Sequence, residues 1–186
     1  KTGQNTIANI SRRAAIYVYF FIHATKFLKN GGRFGFIVSN SWLDVEYGAG
    51  LQEFLLANYR IVAVIESKVE RWFDQAGVNT CIVLLEKCDD EAVRNGNQTR
   101  FVYLKKPVRH FIPPASELWQ GQVDRLRAID ELSQTFLAHD SLYENDDLRV
   151  YPKNQKELHD EGYDEERNAY VGSKWGKYLR APDVFF

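Results

Sequence analysis

The sequence predicts an α/β fold, on three observations. Helical stretches alternate with short apolar runs, in the order helix, strand, helix, strand, loop, strand. The run CIVLL, residues 81–85, is apolar at every position, as in a strand covered on both faces. A chain of 186 residues that is 45% hydrophobic and 14% aromatic can fill a sizeable core.

The first helix is expected over 9–28, where Ile16, Tyr19, Phe20, His23 and Phe27 recur at spacings of three and four. His23 reads there as a packed core histidine. Asn30-Gly31-Gly32 stops the helix, and GRFGFIVSN follows as a strand. A second helix over 48–59 carries Leu51, Phe54, Leu55 and Asn58 along one side. The strand IVAVIE, 61–66, comes next, then a loop led by Phe73, then a strand over 80–86. CDDEAVRNGNQT is a polar excursion turning at Asn95-Gly96. RFVYLKK alternates and reads as an edge strand or the far arm of a hairpin. Pro107, Pro113 and Pro114 mark a connector. An amphipathic helix is expected over 122–139, with Val123, Leu126, Ile129, Leu132, Phe136 and Leu137 on one side. The polar stretch 140–170 carries no pattern that assigns it.

A net charge of -1 excludes an evenly basic nucleic-acid binder and leaves room for local basic patches. Two cysteines, Cys81 and Cys88, are too few for a disulfide framework. With Cys81 in a core strand, they point to a reducing compartment and a cytoplasmic protein. The most apolar run, IYVYFFIHATKFL, contains His23 and Lys26 and is too short to span a bilayer, so no membrane partner is expected. The chain begins at Lys1 and contains no methionine, which reads as a piece of a longer protein. No cluster has metal-ligand spacing, so no metal is expected.

Two patterns compete for the middle of the chain. In the first, Asp44, Gly48, Gly50 and Glu66 make a nucleotide-binding βαβ unit, with glycines admitting the ligand and the acid meeting ribose hydroxyls. Glu46 stands where the first glycine of such a loop belongs, and the plainer reading has Gly48 and Gly50 open a helix. The second pattern uses the ordered set GGRFGFIVSNSWL, YGAGLQEFLLANYRIVAVIE and WFDQAGVNTCIVLLEK. In this order and spacing it resembles the rear half of the catalytic domain of N6-adenine DNA methyltransferases. The likeness is to combined restriction-modification enzymes of type II with the gamma motif order, in which a target recognition domain follows the catalytic one. It runs from about Arg12 to Glu86 and resumes near Val171 in GSKWGKYLRAPDVFF.

The resemblance implies a partial Rossmann-like methyltransferase sheet, its last strand antiparallel, over 1–105. A mostly helical connector over 106–186 would lead toward a target recognition domain. It implies S-adenosylmethionine as cofactor, double-stranded DNA and the rest of the parent polypeptide as partners, and a bacterial cytoplasmic setting. The parent would methylate adenine N6, with or without a fused nuclease. The family's catalytic Asn/Asp/Ser-Pro-Pro-Tyr/Phe motif has no counterpart here. The one Pro-Pro pair, in FIPPAS, is flanked by Ile112 and Ala115. No catalytic residue is therefore assigned, and the fragment alone is expected to be inactive. Phe73 matches the aromatic that forms one wall of the target-base pocket, because an extruded base is held by stacking; Trp72 is the rival ring, and the alternative role for Phe73 is to cap the sheet. Asn40 and Ser41 end a strand at the edge where open α/β sheets bind ligands. Lys105, Lys106 and Arg109, then Lys174, Lys177 and Arg180 interleaved with Trp175 and Tyr178, are candidate DNA-backbone contacts. Two alternatives stand beside this reading: a DNA-binding or assembly module without catalysis, which needs the basic clusters on one face, and a small nucleotide-binding protein using Gly48, Gly50 and Glu66.

Overall fold

A computed structural model describes residues 10–73 and 77–182. Residues 1–9, 74–76 and 183–186, which fall within stretches quoted above, lie outside them. The first helix is α1 (Ile16–Thr25), shorter than expected, and it leads through the Asn30–Gly32 turn into β1 (Arg33–Ser39). Two 3-10 turns, Asn40–Leu43 and Glu46–Gly48, precede α2 (Ala49–Asn58). β2 (Tyr59–Ser67) and β3 (Thr80–Lys87) follow, separated by the loop that carries Phe73. A short helix α3 (Glu91–Asn95) replaces the simple turn expected there, its first turn capped by the Asp90 side chain. The chain continues through β4 (Gln98–Leu104), α4 (Val108–Phe111), α5 (Trp119–Leu137), β5 (Tyr143–Glu144), β6 (Leu148–Asn154) and α6 (Gln155–Gly162). It ends in a small ribbon, β7 (Tyr163–Asp164) with β8 (Ala169–Tyr170), and the helix α7 (Gly176–Arg180).

The main sheet has six strands in the order β1-β3-β2-β4-β6-β5. β3 lies between β1 and β2 and is antiparallel to both, as the expected last strand of a partial methyltransferase sheet. β2 runs parallel to β4, and β6 pairs antiparallel with β4 along its whole length. The edge or hairpin position expected for β4 is therefore corrected: it is an interior strand. Its partner β6 comes from the polar stretch that the sequence leaves unassigned. The segment expected to be a connector thus contributes helices and also extends the sheet.

Side chains alternate across the strands and build two cores. One face, with Val38, Val64, Val83 and Phe101, packs under Phe21 of α1, Leu51 and Leu55 of α2, Leu158 of α6, and Trp175, Tyr178 and Leu179 at the end of the chain. The other, with Ala63, Ile65, Val102 and Val150, packs under Trp72, α4 and Phe136 of α5. Burial of this kind contributes roughly 1.5–3 kcal/mol per large apolar side chain. α2 buries Leu51, Phe54 and Leu55 as its pattern predicts. α1 does the reverse. It buries Val18, Phe21 and Thr25, while Ile16, Tyr19 and Phe20, with Phe27 just beyond its end, are exposed. A helix that is apolar on all sides gives periodicity nothing to choose with. His23, expected in the core, is likewise exposed and rests edge-on against Phe27. On α5 only Phe136 is buried, and Leu126 and Leu137 of the expected stripe are exposed.

Cys81 and Cys88 are both free and buried. Burial pushes the Cys81 thiol up to about 12 and the Tyr17 phenol, on α1, also up to about 12. Both groups are neutral in the fold and ionise at lower pH once unfolded, so their contribution is complete below about pH 8 and is lost as pH rises toward 12. Stability is expected to hold to about pH 8 and then fall by up to ~1.4 kcal/mol per pH unit for each such group. Urea midpoints across this range check it, and Cys81→Ala should make the fall shallower.

Candidate functional site

The parallel strands β1, β2 and β4 end on one edge of the sheet, where β3 and β6 begin. Ligands bind at this carboxyl edge in open α/β sheets. The sequence makes the edge polar: Asn40, Glu66, Thr80, Tyr103 and Arg149 stand there. Backbone bonds knit it together, from Asn40 N–H to the Asn79 carbonyl at 3.0 Å and from Lys68 N–H to the Leu104 carbonyl at 2.8 Å.

Glu66 is the centre of the edge. It is only 4% exposed. Arg180 donates to its two carboxylate oxygens, Nε at 2.7 Å and Nη2 at 2.6 Å, and Asn40 donates a third bond through Nδ2. Arg180 Nη1 also reaches Asp44 at 2.8 Å. Hydrogen bonding to Glu66, then to Asp44, holds the Arg180 guanidinium more firmly protonated than usual. The pair is possible because residue 176 is glycine: a Cβ there would lie 2.4 Å from the Asp44 carboxylate and 2.8 Å from Arg180 Nη1. The tail that carries Arg180 is fixed by Gln52. Its buried amide donates to the Ser173 carbonyl at 2.9 Å and accepts from Ser173 N–H and the Tyr170 hydroxyl, each at 3.1 Å.

A cavity of about 320 Å³ opens on this edge beside Asn40, Glu66, Tyr103 and Arg180. Residues 67–71 and 79–80, the two stems of the loop bearing Phe73, also line it. The two rings on that loop divide their roles. Trp72 packs against the second core and donates its indole N–H to Glu70 at 3.2 Å, whereas Phe73 is 48% exposed. Capping of the sheet thus falls to Trp72, and Phe73 is left as an open aromatic face.

The remaining expected residues scatter. Ser41 is not on the cavity wall; its hydroxyl is engaged with the Tyr47 hydroxyl at 2.7 Å, Ser39 at 3.1 Å and Tyr17 at 3.3 Å. Lys105 and Arg180 meet at a second cavity of about 390 Å³ that shares Lys68, Tyr103 and Arg180 with the first. Lys106 and Arg109 are exposed beyond it. Lys174 is exposed, and Lys177 pairs with Glu161 at 2.7 Å and lies over the Tyr178 ring. Sequence reading missed Lys68 and Arg149, because nothing in a lone lysine or in a strand-buried arginine marks the edge on which it falls. The nucleotide-loop pattern is not assembled. A Cβ at Gly48 would sit 2.0 Å from the Trp42 carbonyl, so this glycine meets its own backbone, and both Glu66 oxygens are taken by Arg180. Among the described residues no group of acids, histidines and cysteines could hold a metal, and no helix is long and apolar enough to cross a membrane.

Comparison with known proteins points one way. The Eco57I restriction-modification methylase family matches residues 2–73, which reach as far as Phe73. The structure is similar to that of the type IIG restriction endonuclease BpuSI, with a TM-score of 0.57, 13% identity, and coverage of 90% of this chain and 16% of that one. It is similar to a chain of a type I restriction-modification system, with a TM-score of 0.52, 15% identity, and coverage of 91% and 33%. A modification subunit of a putative type I restriction enzyme from Vibrio vulnificus YJ016 matches with a TM-score of 0.50, 17% identity, and coverage of 83% and 30%. At these identities the likeness is one of fold. The chain spans from 16% to 33% of the length of these structures.

Proposed function

We propose that this chain is part of a DNA methyltransferase of a restriction-modification system that transfers a methyl group from S-adenosylmethionine to adenine N6. On this reading residues 1–105 are the rear half of the catalytic domain, and 106–186 lead toward the domain that reads the target sequence. The observation that carries it is the edge geometry. An exposed Phe73 stands on a loop whose stems line a cavity at the carboxyl edge, and the family match reaches the same loop. A base inside a duplex cannot reach a methyl donor and must be extruded and stacked. Phe73 supplies one stacking face, and Asn40 sits on the polar rim.

The described residues do not form a cradle for S-adenosylmethionine. Gly48 is packed on Trp42 and Glu66 is paired with Arg180, so neither is open to a nucleoside. Its residues stack the base, set the polar rim and anchor the tail.

The test is Phe73→Ala in the methyltransferase that contains this chain, read by transfer of labelled methyl to adenine-containing DNA. Stacking is worth roughly 1–3 kcal/mol per base, so methylation efficiency should fall by about 5- to 150-fold. Phe73→Trp should restore most of it, and urea stability should be unchanged because the ring is half exposed. Unimpaired methylation by Phe73→Ala would remove Phe73 from the pocket.

A further inference from the structure

The helix α5 (Trp119–Leu137) buries one side chain, Phe136, and leaves most of its apolar residues in water. Trp119 is 78% exposed, Leu126 66% and Leu137 49%. Seven residues separate the first two and eleven the last two. At 3.6 residues per turn these steps are close to two and three full turns, so the three side chains stand in one line along the helix. Val123 and Ile129 flank the line on either side, and Ile129 is also exposed. The line is turned away from the second core, which Phe136 and Leu132 meet. The helix is held at both ends. Buried Arg100 donates to the Phe136 carbonyl at 3.3 Å and to the Leu137 carbonyl at 3.4 Å, and Arg125 donates to the Pro113 carbonyl. A stripe fixed in this way is pre-organised, which lowers the entropy cost of association.

The charges beside the stripe decide what fits it. Arg127 and Asp130 lie on the same flank. Among the described residues Arg127 pairs with Asp124 alone, at 3.9 Å and well exposed, and Asp130 has no ion pair. Consider a second copy of α5 laid antiparallel, about a two-fold axis at the level of Ala128. Such an axis turns like flanks toward each other, and every contact occurs twice. Arg127 of each copy then meets Asp130 of the other, and Trp119 of each lies against Leu137 of the other. Leu126 of both copies lies near the axis. A parallel pair would turn opposite flanks together, set Arg127 against Arg125 and Ile129, and leave both charges without a partner. We propose that α5 is a homodimerisation surface, on which a second copy of this chain seats antiparallel. The contact does not depend on the reaction the chain serves. One pair of helices about 28 Å long covers less than the roughly 800 Å² per partner of a standard interface. The dimer is therefore weak, with a dissociation constant on the order of 10 μM.

Sedimentation equilibrium of this chain between about 1 and 200 μM tests it. The weight-average mass is expected to rise from that of one chain toward that of two. Leu126→Glu should weaken the dimer by at least about 30-fold, because two carboxylates then meet near the axis. Leu126 is exposed in the single chain, so this variant should unfold at the wild-type urea midpoint. Arg127→Asp should weaken the dimer about 10-fold, since each new carboxylate faces an Asp130. Arg127→Asp combined with Asp130→Arg rebuilds both pairs in reverse and should return the affinity to within about 3-fold of wild type. A single-chain mass at about 200 μM would overturn the proposal and leave the stripe to a different occupant, such as another segment of a longer parent polypeptide. A dimer indifferent to Leu126→Glu would place the interface elsewhere and overturn it too. Loss in Arg127→Asp without recovery in the double variant would overturn the antiparallel seating.

Discussion

Arg180→Ala is expected to destabilise the chain by about 3 kcal/mol, and Glu66→Gln by only about 1 kcal/mol, although the two residues form one ion pair. The asymmetry comes from burial. Glu66 has 5% of its side chain exposed and Arg180 has 37%. Without Arg180 the carboxylate keeps only the Asn40 amide in a site that water hardly reaches. Without the Glu66 charge, Arg180 retains Asp44 at 2.8 Å and its contact with solvent, and the glutamine oxygen can still accept from Asn40. The cost of an uncompensated buried charge, about 3–5 kcal/mol, applies at its lower end because the pair is open on one side. The double variant Arg180→Leu, Glu66→Gln should be more stable than Arg180→Ala alone, since no charge is left stranded. Urea unfolding at constant m reads all three. Additive losses would show that the pair is not coupled and that the tail is held by its apolar contacts alone.

Much of this arrangement was legible in the sequence, and the part that was not has physical causes. β1, α2, β2 and β3 announce themselves because their apolar residues have one period and one place to go. The antiparallel position of β3 followed from likeness, not from pattern. α1 failed because aromatics surround it, so the stripe Ile16, Tyr19, Phe20, Phe27 looked like a buried face and is exposed. β6 was invisible because LRVYPKN carries arginine, proline and lysine, and its interior place depends on β4, far away in the chain. The candidate site divides in the same way. The exposed Phe73 and buried Trp72 are adjacent in sequence and only packing separates them. Glu66 appeared as a ribose-binding acid because a strand-end acid is local information. Its actual partner, Arg180, is 114 residues away. The second cavity joins residues from the β2–β3 loop, β4 and β6, so no local motif could have described it.

Trp175→Ala is expected to cost about 3–5 kcal/mol, the usual range for removing a fully buried tryptophan. Trp175 is 0% exposed, its ring stands edge-on to Trp42 at 5.6 Å and to Phe101 at 6.0 Å, and its backbone N–H donates to the Leu43 carbonyl at 2.8 Å. It therefore ties three parts of the chain together: the turn after β1, the interior strand β4, and the tail. The consequence reaches further than stability. Gly176 to Arg180 follow directly, and Arg180 reaches Glu66 only while Trp175 holds α7 down. Loss of the indole should loosen that ion pair as well, so Trp175→Ala and Arg180→Ala should be markedly less than additive in the double variant. Trp175→Phe, which keeps an aromatic in the same place, should recover more than half of the loss. The second cavity, of about 390 Å³, shares this dependence, because Leu179 and Pro182 form part of its wall. Strictly additive losses in the double variant would show that the indole packs without holding Arg180 in place, and that the aromatic anchor serves packing alone.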